Sequence, residues 1–565
     1  MAEMLEYFGD PADRFRIRAY QNAALTIAEL PESLEVITKE KRLQKISGIG
    51  EGIAKKIEEY ISSGKVREYE MLKKALPKGI FEIMEIPFLG PKKARRLNLE
   101  LGITNIKELE RAVQSGAVTQ LSGFGEKSAE KILEGIAMKQ EQHGRMYIGE
   151  IFLTVKELVE DIKKFPEANA VEPAGSFRRR EETVGDIDIL VTTKAGKNVE
   201  TEAKKIMERF VKLPQVRNVL AQGHTKSSVM THEGFQVDLR VVQPAQFGSA
   251  LQYFTGSKKH NVHLRTWAKN KGFKISEYGF FRLDDGTEKL IASRTEAECY
   301  KALGMQYIPP ELRTDSGEIS AALKNTLPKL IEYQNIRGDL HAHSRYSDGS
   351  HSIEDMALAA HKKGYEYIAI TDHSPSLHIA HGLDPQRLRQ KKREIDRLNK
   401  TLPIKILFGT EVDILKDGSI DYPDSILREF DIVVASIHSL FNQDNTDRIL
   451  RAMKNPYVHI IGHVSGRLLG KRKPYPLNYE KIFAAAAETG TIMEINAQYL
   501  RLDLQDIYVR TAKGYGVKFA INSDAHSTDG LWLMELGVSW ARRGWVERGE
   551  VINTLPLIDL KKALK

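Results

Sequence analysis

The stretch Gly175-Ser-Phe-Arg-Arg-Arg-Glu-Glu-Thr-Val-Gly-Asp-Ile-Asp-Ile-Leu-Val191 decides how this chain of 565 residues is read. Its last residues alternate as a strand does, so Asp186 and Asp188 point to one face. Two carboxylates so placed repel unless a divalent cation lies between them. Asp238, between Val237 and Leu239 in the run Phe235-Gln-Val-Asp-Leu-Arg-Val-Val242, offers a third carboxylate on a second strand. Three aspartates on neighbouring strands can hold two Mg²⁺ ions, one activating an attacking hydroxyl and one on the phosphates of a leaving group. Upstream, Gly175 permits close backbone approach to a triphosphate, Ser176 offers a hydroxyl contact and Arg179 a charge. A bare Asp-x-Asp is a weak signal, because many are solvated strand ends; the Gly-Ser before it gives it weight.

Further upstream, the first 140 residues carry Ala, Leu, Ile, Glu and Lys at helical spacing, with Gly or Pro between segments. One pattern occurs three times, in Ile46-Ser-Gly-Ile-Gly-Glu-Gly-Ile-Ala-Lys-Lys-Ile57, Ile86-Pro-Phe-Leu-Gly-Pro-Lys-Lys-Ala-Arg-Arg-Leu97 and Leu121-Ser-Gly-Phe-Gly-Glu-Lys-Ser-Ala-Glu-Lys-Ile132. The copies align as apolar-x-x-apolar-Gly-x-x-x-Ala-x-x-apolar. Each sets a turn (Gly48 and Gly50, Gly90, Gly123 and Gly125) directly before an amphipathic helix, where free N–H groups and the helix dipole favour a phosphate. A single such turn is explained equally well as a tight helix corner; three in one register are not. The second copy has Phe88 where the others have Gly48 and Gly123, and its Pro91 suits a first helical position.

Downstream of a polar stretch, Tyr307-Ile-Pro-Pro-Glu-Leu-Arg-Thr-Asp-Ser-Gly-Glu318, short apolar strands alternate with helices in the rhythm of a parallel sheet or barrel. The apolar runs end in metal-ligand residues. They are Gly338-Asp-Leu-His-Ala-His343 with Asp348 beyond it, Ile368-Ala-Ile-Thr-Asp-His373, Ile406-Leu-Phe-Gly-Thr-Glu411, Ile432-Val-Val-Ala-Ser-Ile-His438, His459-Ile-Ile-Gly-His463 and Phe519-Ala-Ile-Asn-Ser-Asp-Ala-His526. Reactive groups at the C-terminal ends of strands are what a (β/α) barrel site requires. Any one of these histidines could be a satisfied core residue, but nine ligand-type residues at successive strand ends set coincidence aside: His341, His343, Asp348, His373, Glu411, His438, His463, Asp524 and His526. His351, His361, His378, His381 and His459 lie off the pattern and read as surface or supporting residues. Imidazole mixed with carboxylate suits Mn, Zn or Fe better than a pure Mg²⁺ cage.

Composition bounds the rest. With 41% hydrophobic and 28% charged residues, Pro 20 and Gly 42, collagenous and low-complexity classes are excluded. The lone Cys299 excludes an internal disulfide framework and a thiolate zinc finger. Charges stand where a signal peptide would be apolar, so a cytoplasmic protein without membrane contact is expected. The net charge of +8 is a mild hint of nucleic acid, whereas 11 of 16 histidines fall after residue 335 and mark a boundary there.

Gly175-Ser176 followed by Asp186-x-Asp188 resembles the signature of the nucleotidyltransferase superfamily. Tyr253-Phe-Thr-Gly-Ser257, then Asn261, Arg265 and Glu277 in Ile275-Ser-Glu-Tyr278, sharpen this to a resemblance to family X DNA polymerases. The resemblance implies that Tyr253 and Phe254 lie against the deoxyribose and help exclude a 2′-hydroxyl. It implies nucleotide contacts at Gly175, Ser176, Arg179, Gly256 and Asn261 as well, and that Asn261 and Arg265 reach the nascent base pair and template minor groove. Glu277 would face DNA. Lys258-Lys259 stands where the family's type enzyme has an acidic residue near the incoming base. The repeated turns resemble the helix-hairpin-helix motif, which grips DNA backbone without reading sequence. Lys56 matches, by its place in the first hairpin, a Schiff-base lysine of the family's lyase domain, while Gly52 stands in place of a second lysine of that pocket; Lys56 is accordingly expected to be a DNA-phosphate or surface lysine, with 5′-deoxyribose-phosphate lyase activity as the other option.

The nine barrel ligands resemble the complete motif of the polymerase and histidinol phosphatase (PHP) family, which implies a distorted (β/α)₇ barrel, up to three Mn²⁺, Zn²⁺ or Fe ions and phosphoester hydrolysis, with Glu411 as bridging ligand. The fold expected is thus a helical helix-hairpin-helix region, an α/β nucleotidyltransferase palm with a fingers/thumb-type subdomain, and the barrel. The parts fall at 1–85 (lyase-like), 86–148 (two further hairpins), 149–246 (palm), 247–315 (nucleotide selection), 316–335 (linker) and 336–565 (PHP). The activity implied is gap-filling DNA polymerisation in repair, with two Mg²⁺ or Mn²⁺ at Asp186, Asp188 and Asp238. A 3′–5′ exonuclease in the barrel would accompany it, with abasic-site or 3′-phosphate processing as further options. Gapped or primer-template DNA and dNTPs are the expected partners, and a monomer the expected state. Two other readings stay open on the residues alone: a non-templated nucleotidyltransferase fused to a small-molecule phosphatase, and a DNA-binding scaffold whose barrel has lost activity.

Overall fold

A computed structural model describes residues 1–28, 34–46, 48–142, 144–194, 199–284 and 287–564. Each copy of the repeated pattern closes on the same backbone hydrogen bond. The amide of the fourth residue donates to the carbonyl of the first in each: Ile49 to Ile46 at 3.1 Å, Leu89 to Ile86 at 3.1 Å, Phe124 to Leu121 at 3.0 Å. The third residue is left-handed in every copy, with φ of +83° at Gly48, +71° at Phe88 and +80° at Gly123. Phe88 therefore keeps the turn at a steric cost that glycine avoids. Helices Glu51–Ser63, Pro91–Leu101 and Glu126–Gln142 follow at once. The repeated alanine is needed because Ala54, Ala94 and Ala129 are buried at the turn, and Ile57, Leu97 and Ile132 are buried one helical turn on. Met4 and Tyr7, from the first helix Ala2–Phe8, join the core of the second and third hairpins with Leu97 and Phe124.

The palm is a five-stranded sheet in the order Ala168–Pro173, Asp186–Thr193, Gln236–Val242, Lys226–Thr231, Val216–Gln222. Helices Ile148–Lys163 and Val199–Phe210 contribute buried faces to its core. The next region joins helices Phe247–Thr255 and Lys258–Asn270 to an antiparallel sheet of Phe273–Ser276, Gly279–Asp284 and Thr287–Ala292.

The C-terminal region is a seven-stranded, wholly parallel sheet whose strands keep their chain order: Gly338–Ala342, Tyr367–Ile370, Lys405–Asp413, Ile432–Ser436, Ile460–Ile461, Ile492–Asn496 and Phe519–Asn522. First and last strands meet, with the amide of Asp524 donating to the carbonyl of His341 at 3.0 Å and that of His343 to Ala525 at 2.8 Å. This closes the barrel at the rim that carries the histidines.

Palm and barrel share one continuous apolar cluster, reaching from Phe152 and Phe177 to Leu531, Met534 and Trp540. Phe152 stacks on Trp532 at 5.3 Å between ring centres. Residues 316–335, expected as a linker, are packed rather than exposed: Ile319 and Ala322 lie in a core with Tyr300 and Leu312, and Ile331 lies in the palm–barrel cluster. Among the described residues no helix is long and apolar enough to cross a membrane.

Candidate active sites

In the palm, strands Asp186–Thr193 and Gln236–Val242 run parallel with Asp188 directly opposite Asp238. Asp186 and Asp188 are two apart on the first strand, so all three carboxylates gather on one face of two interior strands of the sheet. Gly175 opens the helix Gly175–Arg178 with φ +60°, and a Cβ there would stand 2.9 Å from Asp188 Oδ2, which is why this position needs glycine. Burial, then the charges of Asp186 and Asp238, push the Asp188 carboxyl up to about 6. Burial acts in the same direction on Asp238, but hydrogen bonds from Lys226 and Gln236 outweigh it and hold that carboxyl below its ordinary value. Lys226 Nζ lies 2.7 Å from Asp238 Oδ2. A cluster in which one carboxyl is pushed up and another has an ammonium drawn against it is short of positive charge, which suits divalent cations.

A cleft of about 390 Å³ beside it is lined by Arg179, Tyr253, Phe254, Gly256, Lys258, Asn261 and Arg265. The structure so brings together most of the residues expected to bind nucleotide. Asn261 is fixed there by donating to the Tyr253 carbonyl at 2.8 Å and accepting from Gln252 at 2.8 Å. Arg179 donates to the Thr255 carbonyl and to Glu181 at 3.3 Å. Ser176 is half-buried in the short helix, and Glu277 stands in the turn between two strands, its carbonyl accepting from Ser249 at 3.0 Å; neither lines the cleft.

The barrel site is organised around Glu411. Its Oε2 lies 3.0 Å from His373 Nδ1, 3.3 Å from His341 Nε2 and 3.6 Å from His343 Nε2. Its Oε1 lies 2.9 Å from His463 Nε2 and 3.4 Å from His438 Nε2. Asp348 faces His343 at 3.7 Å, His373 at 3.5 Å and His526 at 3.3 Å, and Asp524 lies 3.3 Å from His343 Nε2. All nine expected ligands are thereby in one pocket. His463 and Asp524 hold φ of +23° and +52°, strain typical of residues turned toward a functional centre.

The pocket's own chemistry tests whether metals fit. Nε2 of His341, both ring nitrogens of His343, Nδ1 of His373 and Nδ1 of His463 are buried without a hydrogen-bond partner. Orphaned buried nitrogens are costly unless something accepts their lone pairs. Burial opposes charge on His438 and His526, yet Glu411 and Asp413 hold the first, and Asp348 and Asp524 the second, up to about 9. Burial, reinforced by neighbouring cations, holds His343 and His463 down to about 4. Protons thus balance carboxylates where metal ions would, and the residues fit a multinuclear centre.

Comparison with known proteins decides the family. The chain is 39% identical over 571 residues to "DNA polymerase/3′-5′ exonuclease PolX" of Bacillus subtilis (strain 168), covering 100% of this chain and 97% of that protein. It is a family X DNA polymerase with a PHP domain. Family models agree part by part: DNA polymerase beta palm over residues 145–236, DNA polymerase beta thumb over 250–314, PHP domain over 339–500, helix-hairpin-helix domain over 1–66 and a helix-hairpin-helix tandem over 40–102 and 80–138. The barrel alone is 33% identical to a probable phosphatase of Thermoanaerobacter sp. (strain X514), over 38% of this chain and 89% of that protein.

In this polymerase the residues that support the ligands were not singled out in the sequence. Glu494 accepts from His341 Nδ1 at 2.7 Å and from the His463 amide at 2.6 Å, and Asp413 faces His438 Nδ1 at 3.1 Å. Each was detectable as an acid inside an apolar strand, Asp413 two residues from Glu411 on the same face. Lys226 and Arg501, which stands 3.6 Å from Asp524, carried no such mark. His459 is buried and structural, its Nδ1 accepting from the Val433 amide at 3.0 Å.

At the polymerase's N-terminal hairpins, Gly50, Gly90 and Gly125 leave open space at the helix starts. Lys56 Nζ lies 3.1 Å from Glu68 and 5.9 Å from the Tyr20 ring, on a cavity of about 850 Å³. Burial works to lower its pKa, but Glu68 and Tyr20 raise it on balance, and a protonated amine is no nucleophile.

Proposed function

We propose that this enzyme fills short gaps in DNA by templated nucleotidyl transfer at the palm and removes nucleotides from 3′ ends at the barrel. The observation that carries this reading is the presence on one chain of two ligand sets: three aspartates beside a nucleotide-sized cleft, and in a barrel mouth seven imidazoles and carboxylates close enough to share metal ions, with His463 and Asp524 against them. Asp186, Asp188 and Asp238 would hold two Mg²⁺ or Mn²⁺ ions; the barrel ligands would hold up to three Mn²⁺, Zn²⁺ or Fe ions. Bound divalent ions supply charge neutralisation for the phosphoryl group and activation of the attacking oxygen.

The chain's own residues do the remainder. Gly175 keeps the space over Asp188 clear for a triphosphate, Arg179 lends charge, and Tyr253 and Phe254 form the wall on which the sugar rests. The helix starts at Gly50, Gly90 and Gly125 present N–H groups to DNA backbone without reading sequence. Lys56 serves as a backbone contact rather than a Schiff base. Gapped or primer-template DNA and dNTPs are the substrates, and the enzyme works as a monomer. A likeness of the barrel to probable phosphatases supports phosphoester chemistry there, including abasic-site or 3′-phosphate processing.

Primer extension and degradation on gapped DNA test the reading. Joint Asp186→Ala and Asp188→Ala should lower extension by about 10³-fold or more and spare degradation. His341→Ala or Glu411→Ala should do the reverse. A single substitution that removes both activities from a folded protein sinks the two-site model.

A further inference from the structure

The barrel supplies every metal ligand, but its rim is held from outside. Arg467, four residues beyond His463, is buried to 2% exposure, and its guanidinium is engaged at three nitrogens. Nη1 pairs with Glu182 Oε1 at 2.7 Å, Nε donates to the Arg501 carbonyl at 2.6 Å, and Nη2 donates to the Leu502 carbonyl. Glu182 is a palm residue. It follows the short helix Gly175–Arg178, and its own carbonyl accepts from the Ile148 amide at 3.0 Å. The turn that Arg467 grips carries Arg501, whose Nε lies 3.6 Å from Oδ2 of Asp524 and whose buried Nη1 has no partner.

A guanidinium with a free buried N–H beside a metal-ligand carboxylate is placed to bind a phosphate oxygen. Its direction depends on the turn, which Arg467 ties down at the Arg501 and Leu502 carbonyls in addition to the turn's own backbone hydrogen bonds. Asp503 stays near the Arg467 guanidinium, but removing Glu182 leaves its buried Nη1 without a partner, which is unfavourable enough to shift the side chain. We propose that Glu182 of the palm is a positioning residue of the barrel's phosphoesterase site, acting through Arg467 to hold Arg501 against the substrate phosphate. The inference rests on reading the barrel as the 3′–5′ nuclease. It makes nuclease turnover depend on the docked polymerase body, through a loop that also carries the nucleotide-cleft residue Arg179.

The test uses full-length protein in Mn²⁺, with kcat and KM measured for exonucleolytic degradation, bound metal by elemental analysis, and gap filling alongside. Glu182→Ala should lower the kcat of degradation about tenfold, with bound metal unchanged. Glu182→Gln, which can still accept from Arg467, should recover most of that loss. In an Arg501→Gln background, Glu182→Ala should cost less than about twofold more, since both act on one contact. Parental kcat in Glu182→Ala, a loss matched by lost metal, or full additivity with Arg501→Gln overturns the proposal. His341→Ala separates the two failures: if it leaves degradation intact, the barrel is not the nuclease; if it abolishes degradation while Glu182→Ala is silent, the positioning role alone is wrong.

Discussion

In the palm, three aspartates share one face of two adjacent interior strands, Asp186 exposed and Asp238 already drawn against Lys226. In the barrel, five histidine rings close around the buried carboxylate of Glu411, and Glu494 and Asp413 behind them fix two of those rings. Both arrangements collect negative charge, but only the second provides enough donors to complete a coordination shell by itself. Three carboxylates suit a hard cation that keeps its waters and arrives with substrate phosphates. A buried imidazole and carboxylate cage suits transition metals held between turnovers. The contrast fits the two reactions: a polymerase must admit a new triphosphate each cycle, whereas a nuclease needs only the DNA end.

The contrast would break most readily at the level of retained metal. Protein purified without added ions and dialysed free of loose metal should keep its Mn²⁺, Zn²⁺ or Fe. Retention should fall nearly to zero in Glu411→Ala and be unchanged in Asp186→Ala with Asp188→Ala, as read by elemental analysis. Retention that followed the aspartates would mean the palm is the preformed site. A smaller effect sharpens the same point: Glu494→Gln, which weakens the partner of His341, should reduce barrel metal affinity by roughly 10- to 100-fold and leave extension intact.

The two sites also differed in how they could be read from sequence. Barrel ligands were legible because each follows an apolar strand, so the strand pattern fixes where the ligand must sit; His341, Glu411 and Asp524 needed no knowledge of packing. The palm aspartates were legible from alternation alone. What stayed hidden was anything set by contacts between distant segments. Lys226 meets Asp238 only because their strands pair antiparallel with a particular register. Arg467 meets Glu182 only because palm and barrel share a core, 285 positions apart in sequence. The segment 316–335 looked like a linker for the same reason: its polar composition says nothing of the surfaces that bury Ile319 and Ile331. Phe88 marks another limit, since left-handed backbone at a non-glycine residue is imposed by the hairpin around it.

The smallest effect concerns protons. Because Asp188 is pushed up to about 6, first by burial and then by Asp186 and Asp238, the metal-free palm takes up a proton there as pH falls through about 6, and a divalent cation such as Mg²⁺ would have to displace it. Lowering pH from 7.5 to 5.5 should therefore raise half-saturating Mg²⁺ for extension about fourfold through this group alone. The linkage to folding has a definite sign. A carboxyl with a raised folded-state pKa binds its proton more tightly when folded, so stability from this group is gained as pH falls from about 6 toward 4 and lost on the way back up. The barrel carboxylates Asp348, Glu411 and Asp524 run the opposite way. Their values are held low by surrounding imidazoles against the effect of burial, so their contribution persists at neutral pH and is lost only on strong acidification. Asp188→Asn mimics the protonated palm and should raise the melting temperature of metal-free protein at pH 7.5, with the gain shrinking toward pH 5. An equal gain at both pH values would show that Asp188 titrates as an ordinary surface aspartate, and the palm would then be a more solvated site than its packing against Gly175 implies.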